Sequence, residues 1–372
     1  MKERYRIGII VPGIGMINRG TERFVVELTQ RLQNKYDINI FCRREISSHC
    51  RKIRTISRDC SFTNVFYGIP CVKRLLNFCC LDPLSVELLS ANVSAFRTLF
   101  RGKFDLIISV TEVWGALCCN ILRMLRGIPF IVIQQAQYGK WELWSASQRP
   151  DAYIAHTQMM KRSLNRRFKQ LRITYIPNAV DIEQFVPSCQ LDPYNLQRPI
   201  FLAAGAFEPV KRMDLAIKAV AKLERGSLLL VGDGELKHDL LNLGEKLLGE
   251  KGRFFLTSAS FSEMPFYYNL CDVFTLPSSG EAFGNVYIEA MACNKPIVTT
   301  YDETRRELIE DAGMLCDCSN IEEYAFSLEE AERTDFNDRP RKRAEAFSWE
   351  NVSKKYDEMF KLIIENSKKR DA

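Results

Sequence analysis

Two glutamates, Glu281 and Glu289, stand eight positions apart in the run Leu276-Pro277-Ser278-Ser279-Gly280-Glu281-Ala282-Phe283-Gly284-Asn285-Val286-Tyr287-Ile288-Glu289-Ala290-Met291-Ala292. The run reads as the end of a strand, a Gly/Ser loop and a helix that starts near Gly284. The free N–H groups at such a helix start suit a diphosphate. Glu281 falls in the loop, and Glu289 falls one turn into the helix amid Val286, Ile288, Ala290 and Met291. A carboxylate in that apolar company needs a hydrogen-bond donor, and sugar hydroxyls are donors. A second run, 202–212, passes from a strand into a helix and sets Lys211 and Arg212 at the helix start. Cations there oppose the helix dipole, which makes sense when an anion shares the site. For each run the plain alternative is a solvated surface charge.

The first loop, Pro12-Gly13-Ile14-Gly15-Met16-Ile17-Asn18-Arg19-Gly20-Thr21, is glycine-rich but is no dinucleotide fingerprint. Asn18 holds the place of the third glycine, and the following helix starts late, near Gly20-Thr21. The second strand runs into Arg43-Arg44 rather than an acidic residue. What remains is a loop that lets a ligand approach the backbone, or a plain tight turn.

The elements that must position these residues alternate along the chain. Strands are expected at 6–11, 38–42, 104–110, 130–134, 152–155 and 173–176, with helices at 21–32, 115–126 and 158–168. The stretch from 47 to 100 is less regular and reads as carrying helical insertions. A polar, proline-punctuated connector begins at Pro177. A second series follows, with strands at 200–204, 227–231, 254–257, 273–276 and 296–299 and helices at 213–223, 235–247 and 285–291. The final stretch, 349–364, has one apolar helical stripe through Val352, Tyr356, Met359, Phe360 and Ile363. This is an α/β pattern of two doubly wound domains, which bind ligands at the carboxyl ends of their strands.

At 372 residues the chain has room for two domains, and 46% hydrophobic and 26% charged residues exclude disordered and low-complexity classes. The net charge of +6 hides an asymmetry. Residues 1–180 carry 28 Lys/Arg against 12 Asp/Glu, a net of +16, and residues 181–372 carry 24 against 34, a net of −10. The thirteen cysteines include no Cys-x-x-Cys pair, and with only three histidines the spacing of a structural zinc site is absent. They read as reduced thiols of a cytosolic protein. The apolar run at 7–11 is too short for a secretory h-region, and no window is long enough to span a bilayer.

Taken together, these motifs resemble the GT-B-fold glycosyltransferases, specifically the large retaining family 4. The residues that carry the likeness are Gly20-Thr21-Glu22-Arg23, Ile176-Pro177-Asn178-Ala179-Val180-Asp181, Gly205 to Lys211, Val231-Gly232-Asp233-Gly234, and the Glu281-to-Glu289 motif. The resemblance implies two Rossmann-like domains facing each other across a cleft. The N-terminal acceptor domain would span 1–180 and the C-terminal donor domain 181–348, with a helix at 349–372 crossing back to the first. It implies that Glu281 touches the hydroxyls of the transferred sugar and Glu289 holds the ribose. The backbone of Phe283, Gly284 and Asn285, together with Lys211, would grip the diphosphate, and Gly232, Asp233 and Gly234 would lie near the nucleotide. Gly205 and Arg212 fall on the donor side; Gly15, Gly20, Thr21, Gln135 and Gln137 fall on the acceptor side. The chain departs from the family twice. Ala206 stands where a phosphate-binding arginine is common, and the loop Gln135-Ala136-Gln137-Tyr138-Gly139 lacks the frequent histidine.

The expected activity is transfer of a sugar from a nucleotide diphosphate sugar to a hydroxyl of a glycan or lipid-linked glycan, with retention of configuration. Glu281 and Lys211 would be the catalytic residues. No Asp-x-Asp cluster follows a strand, so neither a metal nor another cofactor is expected. The basic half suits an anionic membrane surface, giving a cytoplasmic protein with peripheral attachment; no nucleic-acid-reading module is present. The alternatives are a non-catalytic nucleotide-sugar-binding subunit and a GT-B-like epimerase; a phosphorylase would typically need a longer chain and a cofactor lysine.

Overall fold

The computed structural model describes residues 4–14, 20–45, 47–57, 82–110, 113–134 and 139–371. The chain divides into two compact units: Met1–Ile176 with Ser353–Ala372, and Pro177–Val352.

Unit 1 is built on a seven-stranded sheet of β1 (Arg6–Ile10), β2 (Asp37–Cys42), β3 (Cys50–Lys52), β4 (Leu106–Ser109), β5 (Phe130–Ile133), β6 (Ala152–Ala155) and β7 (Ile173–Tyr175). Their order is β3-β2-β1-β4-β5-β6-β7, with every pairing parallel; Ile9 lies between Ile40 and Ile108. The central strands are apolar runs buried along almost their whole length, as expected for a parallel sheet covered by helices. Helix α1 (Gly20–Leu32) turns Phe24, Val25, Leu28 and Leu32 inward. Helix α2 (Pro83–Arg101) starts on an Asp82 cap, whose carboxylate accepts from the N–H groups of Leu84 and Ser85. Helix α3 (Trp114–Arg126) ends on left-handed Gly127, α4 spans Lys140–Ser147, and α5 (Gln158–Arg167) is capped by Thr157.

Unit 2 has six parallel strands, β8 (Ile200–Ala204), β9 (Ser227–Val231), β10 (Phe254–Thr257), β11 (Val273–Leu276), β12 (Ile297–Thr300) and β13 (Gly313–Cys316), in the order β10-β9-β8-β11-β12-β13. Its helices are α6 (Met213–Lys222), α7 (Lys237–Leu248), α8 (Met264–Leu270), α9 (Asn285–Ala292), α10 (Glu303–Ile309), α11 (Ile321–Arg333) and α12 (Arg339–Glu345). Arg253, only 1% exposed, donates to the carbonyls of Val220, Leu223, Arg225 and Gly226, which lie at the end of α6 and just before β9. Val180 pairs with Ser348, its N–H bonding Phe347 O and its carbonyl accepting from Trp349.

The last helix, α13 (Trp349–Asp371), starts in unit 2, and from Ser353 onward it belongs to unit 1. There Asp357 accepts from the Tyr36 hydroxyl at 2.7 Å and pairs with Lys35 at 2.6 Å, while Tyr356 packs against Phe24. The strands at 200–204, 227–231, 254–257 and 273–276 form as the sequence predicts. Short β3 and β13 and helices α4, α8, α10, α11 and α12 are not among the elements expected from the sequence. Of the irregular stretch at 47–100, the structure describes β3 and α2; residues 58–81 lie outside the described residues.

Candidate functional site

In unit 2 the strand order reverses between β8 and β11, and loops gather at the carboxyl edge there, the usual binding crevice of a doubly wound sheet. The loops after β8 and β9 interlock backbone to backbone. Gly205 N–H bonds Val231 O at 3.0 Å, Phe207 N–H bonds Asp233 O at 2.8 Å, and Leu236 N–H bonds Phe207 O at 3.1 Å. Glycine is required for that approach: a Cβ on Gly232 would lie 1.9 Å from Gly205 O, and one on Gly234 (φ +156°) 2.7 Å from Phe207 N and O. The exposed Asp233 carboxylate accepts from Lys237 Nζ and from Gly234 N–H, both at 2.8 Å, and these bonds hold its pKa below the usual range.

Across the switch point, Lys211 Nζ lies 2.6 Å from Glu281 Oε1, with the two side chains 19% and 10% exposed. Lys211 ends a 3-10 turn, Pro209–Lys211, and Arg212 follows in the left-handed region at φ +50° before α6 begins. So α6 starts one residue beyond Arg212, and the Arg212 guanidinium turns to protein partners: Nε donates to Pro277 O at 2.7 Å and Nη2 to Thr300 Oγ1 at 2.9 Å. The turn and the Glu281 loop are also joined directly, through Ser279 N–H to Val210 O at 2.9 Å and Ser278 Oγ to Val210 O at 3.1 Å.

Helix α9 opens on Gly284 (φ +92°), and no side chain caps it. A Cβ on Gly284 would lie 2.4 Å from the Tyr287 ring. Phe283 is buried edge-on to Phe347, and Asn285 Oδ1 accepts from Asn178 at 3.0 Å. Glu289, one turn along, accepts from the Tyr268 hydroxyl at 2.8 Å. The donor required by a carboxylate among apolar neighbours is therefore in part a buried tyrosine. The structure thus sets Gly205, Lys211, Gly232, Asp233, Gly234, Glu281, Phe283, Gly284 and Asn285 on the loops and helix start beside β8, β9 and β11, with Glu289 one turn into α9. Sequence reasoning did not reach Tyr268, Thr300 or Arg305. Tyr268 meets Glu289, Thr300 meets Arg212 and Arg305 meets Ser278 across stretches of chain that no local spacing links.

In unit 1, Gly15, Gln135 and Gln137 lie outside the described residues. Gly20 and Thr21 are the first two residues of α1. A Cβ on Gly13 would lie 2.2 Å from Glu22 Oε1, so Glu22 rests against the first loop. His156 is buried and bonds through Nδ1 to Ile176 O at 2.8 Å. A carbonyl only accepts, so Nδ1 carries the proton, and burial pulls the imidazole pKa down to about 4. The ring is therefore a buried, neutral part of the unit 1 interior. A cavity of about 330 Å³, lined by Ser85, Leu88, Val113, Trp114, Lys140 and Trp141 among others, opens near the carboxyl ends of β4 and β5. Lys140 Nζ sits 4.2 Å over the Trp141 ring. Among the described residues no group of three or more His, Cys, Asp or Glu could hold a metal ion, and no helix is long and apolar enough to cross a membrane.

Comparison with known proteins places these features in a family. Glycosyl transferases group 1 matches residues 192–347, and Glycosyltransferase Family 4 matches residues 18–184. An uncharacterized glycosyltransferase of Methanocaldococcus jannaschii is 28% identical over 66% of this chain and 72% of its own. The Campylobacter jejuni N-acetylgalactosamine-N,N'-diacetylbacillosaminyl-diphospho-undecaprenol 4-alpha-N-acetylgalactosaminyltransferase is 32% identical over 41% of each chain. Among solved structures, sucrose-phosphate synthase of Thermosynechococcus elongatus aligns at TM-score 0.76 and 18% identity, covering 98% of this chain and 100% of that one. Anabaena HepE, solved in complex with UDP and glucose, aligns at 0.69 and 15% identity, over 96% and 100%. With its two parallel, doubly wound sheets and both family matches, the chain belongs to the GT-B-fold glycosyltransferases of family 4.

Proposed function

We propose that the chain transfers a sugar from a nucleoside diphosphate donor, bound by unit 2, to a hydroxyl on a glycan or lipid-linked glycan held by unit 1. The observation that carries this reading is the Lys211–Glu281 pair beside the uncapped start of α9. A departing diphosphate needs positive charge and N–H donors, and the transferred sugar needs an acceptor for its hydroxyls; the two halves of the pair supply one of each. HepE, solved in complex with UDP and glucose, and the Campylobacter relative, whose name carries a diphospho-undecaprenol, support a nucleotide donor and a lipid-linked acceptor.

Bond breaking at the anomeric carbon sends an electron pair to the diphosphate oxygen, where Lys211 Nζ and the first N–H groups of α9 offset the new charge. The acceptor oxygen attacks from the side the diphosphate leaves, its proton passes to that oxygen, and configuration is retained. Glu289, oriented by Tyr268, receives the ribose hydroxyls. None of these steps calls on a metal. The tryptophan-lined cavity in unit 1 offers flat apolar faces against which a sugar ring of the acceptor stacks. The +16 of residues 1–180 suits peripheral attachment to an anionic bilayer on its cytoplasmic side.

The test is transfer with purified enzyme, a panel of nucleotide sugars and EDTA present, the product's anomeric configuration being read by proton NMR. Retained configuration with full rate in EDTA is expected. An inverted product sinks the retaining mechanism, and rate lost in EDTA sinks metal independence. Absence of binding to anionic vesicles at low salt removes the membrane.

A further inference from the structure

The segment joining β11 to α9 is held by two arginines: Arg212, which the sequence marks as a donor-side charge, and Arg305, which no motif predicts. Arg212 Nε donates to Pro277 O at 2.7 Å, and Arg305 Nη2 donates to the next carbonyl, Ser278 O, at 2.9 Å. Both also reach Thr300 on β12. Arg212 Nη2 meets its hydroxyl at 2.9 Å, and Arg305 Nη1 meets its carbonyl at 3.3 Å while pairing with Asp302. Arg305 is 1% exposed, so its guanidinium is an interior strut.

The geometry gives this strut a specific effect. A peptide unit is planar, so fixing its C=O and its N–H fixes its orientation. In the unit joining Ser278 to Ser279, the carbonyl is held by Arg305 and the N–H by Val210 O at 2.9 Å. That orientation sets the direction in which the chain leaves toward Glu281, three residues beyond Ser278, and toward Gly284 at the start of α9. The position of Arg212 points the same way. Its φ of +50° is one that glycine adopts freely and a side chain adopts at a cost, yet an arginine stands there, and its side chain bonds to the segment beside Glu281. The next residue back is Lys211, the partner of Glu281.

We propose that Arg212 and Arg305 are positioning residues, forming a two-arginine brace that fixes the Ser278–Ser279 peptide and so sets where Glu281 and the start of α9 meet the donor. The proposal rests on the reading of unit 2 as the donor site. Arginine suits position 305 because its planar fork splits the work, Nη2 serving Ser278 O while Nη1 serves Thr300 O and Asp302, whereas the donors of an ammonium all leave a single nitrogen.

Amide hydrogen exchange of the ligand-free protein, paired with calorimetric titration of UDP, GDP and ADP, tests it in Arg305→Met, Arg305→Lys and Arg212→Gly. Arg212→Gly suits its own backbone conformation, so it keeps the test valid if Arg305→Met fails to fold. Exchange of the 279–284 amides is expected to rise about ten- to a hundredfold in Arg305→Met and Arg212→Gly, the effect of losing a buried bond from a charged donor. Protection in β8 and β9 should stay at the wild-type level, and the best nucleoside diphosphate should bind about tenfold more weakly. Arg305→Lys should not restore either quantity. Wild-type exchange at 279–284 in Arg212→Gly, or full rescue by Arg305→Lys, overturns the brace. If the wild type binds none of the three nucleotides, the donor reading fails, while the exchange data still decide the brace.

Discussion

Lys211 Nζ and Glu281 Oε1 lie 2.6 Å apart, so the cation that would meet a diphosphate is held by the carboxylate that would meet the sugar. The pair is therefore neutralised from within, and the proposed diphosphate would have to exchange this contact for its own. Replacing Lys211 by Ala should lower the transfer rate by about 10²–10³-fold, the usual effect of losing a group that stabilises a leaving charge. The melting temperature should change little. A variant that keeps wild-type turnover would remove Lys211 from the mechanism.

Glu281→Gln separates the two roles. Transfer should fall with Lys211→Ala, but the free nucleoside diphosphate should bind more tightly, by about tenfold, because an anion facing the ligand is gone and Lys211 is released. Calorimetry with the product nucleotide checks this. Weaker binding would mean that Glu281 organises the pocket rather than opposing the phosphate.

Tyr268→Phe removes the hydroxyl that donates to Glu289 at 2.8 Å while keeping the buried ring. The expected effect is a rise of several-fold in the donor KM, about 1 kcal/mol, with kcat nearly unchanged. Steady-state kinetics at saturating acceptor read both numbers.

Gly284→Ala combines a left-handed backbone at φ +92° with a Cβ placed 2.4 Å from the Tyr287 ring. A loss of about 1–3 kcal/mol in stability is expected from the strain, together with weakened nucleotide binding. Chemical denaturation and nucleotide titration measure the two effects separately.

His156 gives a pH dependence with a defined sign. Its folded pKa of about 4 is lower than the unfolded 6.5, so the unfolded chain binds the extra proton first. The stabilising effect is therefore fully present above pH 6.5, declines as pH falls, and is gone below about pH 4. The full difference is about 3 kcal/mol. His156→Gln should flatten the melting temperature across that window, and an unchanged slope would assign the titration elsewhere.

Much of this was legible along the chain. The apolar runs at 200–204, 227–231 and 273–276 announce their strands because a buried parallel strand admits few other residues. The glycines at 232, 234 and 284 announce the loops because each meets backbone or ring where a Cβ would stand, and Gly205 because its backbone is left-handed at φ +146°. Glu281 and Glu289 are legible because both flank one helix start. Arg212 is visible as a charge, but the direction it faces is not, since that depends on a left-handed residue between a 3-10 turn and α6. Arg305 is hidden for a stronger reason. It sits among Asp302, Glu303, Thr304 and Arg306 and reads as surface, and only the meeting of β11 with β12 shows it to be interior. The tyrosine beneath Glu289 belongs to α8, a short helix whose packing is tertiary.

Arg253 brings a kinetic consequence. Its four carbonyl partners come from the end of α6 and the turn into β9, while it stands at the foot of β10. Those bonds close only after all three elements are in place, so they are late events in folding and early losses in unfolding. Arg253→Met should leave the refolding rate near wild type and speed unfolding, a low-φ signature. Stopped-flow unfolding and refolding read the two rates, and an unfolding rate left at the wild-type value would place these bonds elsewhere in the sequence of events.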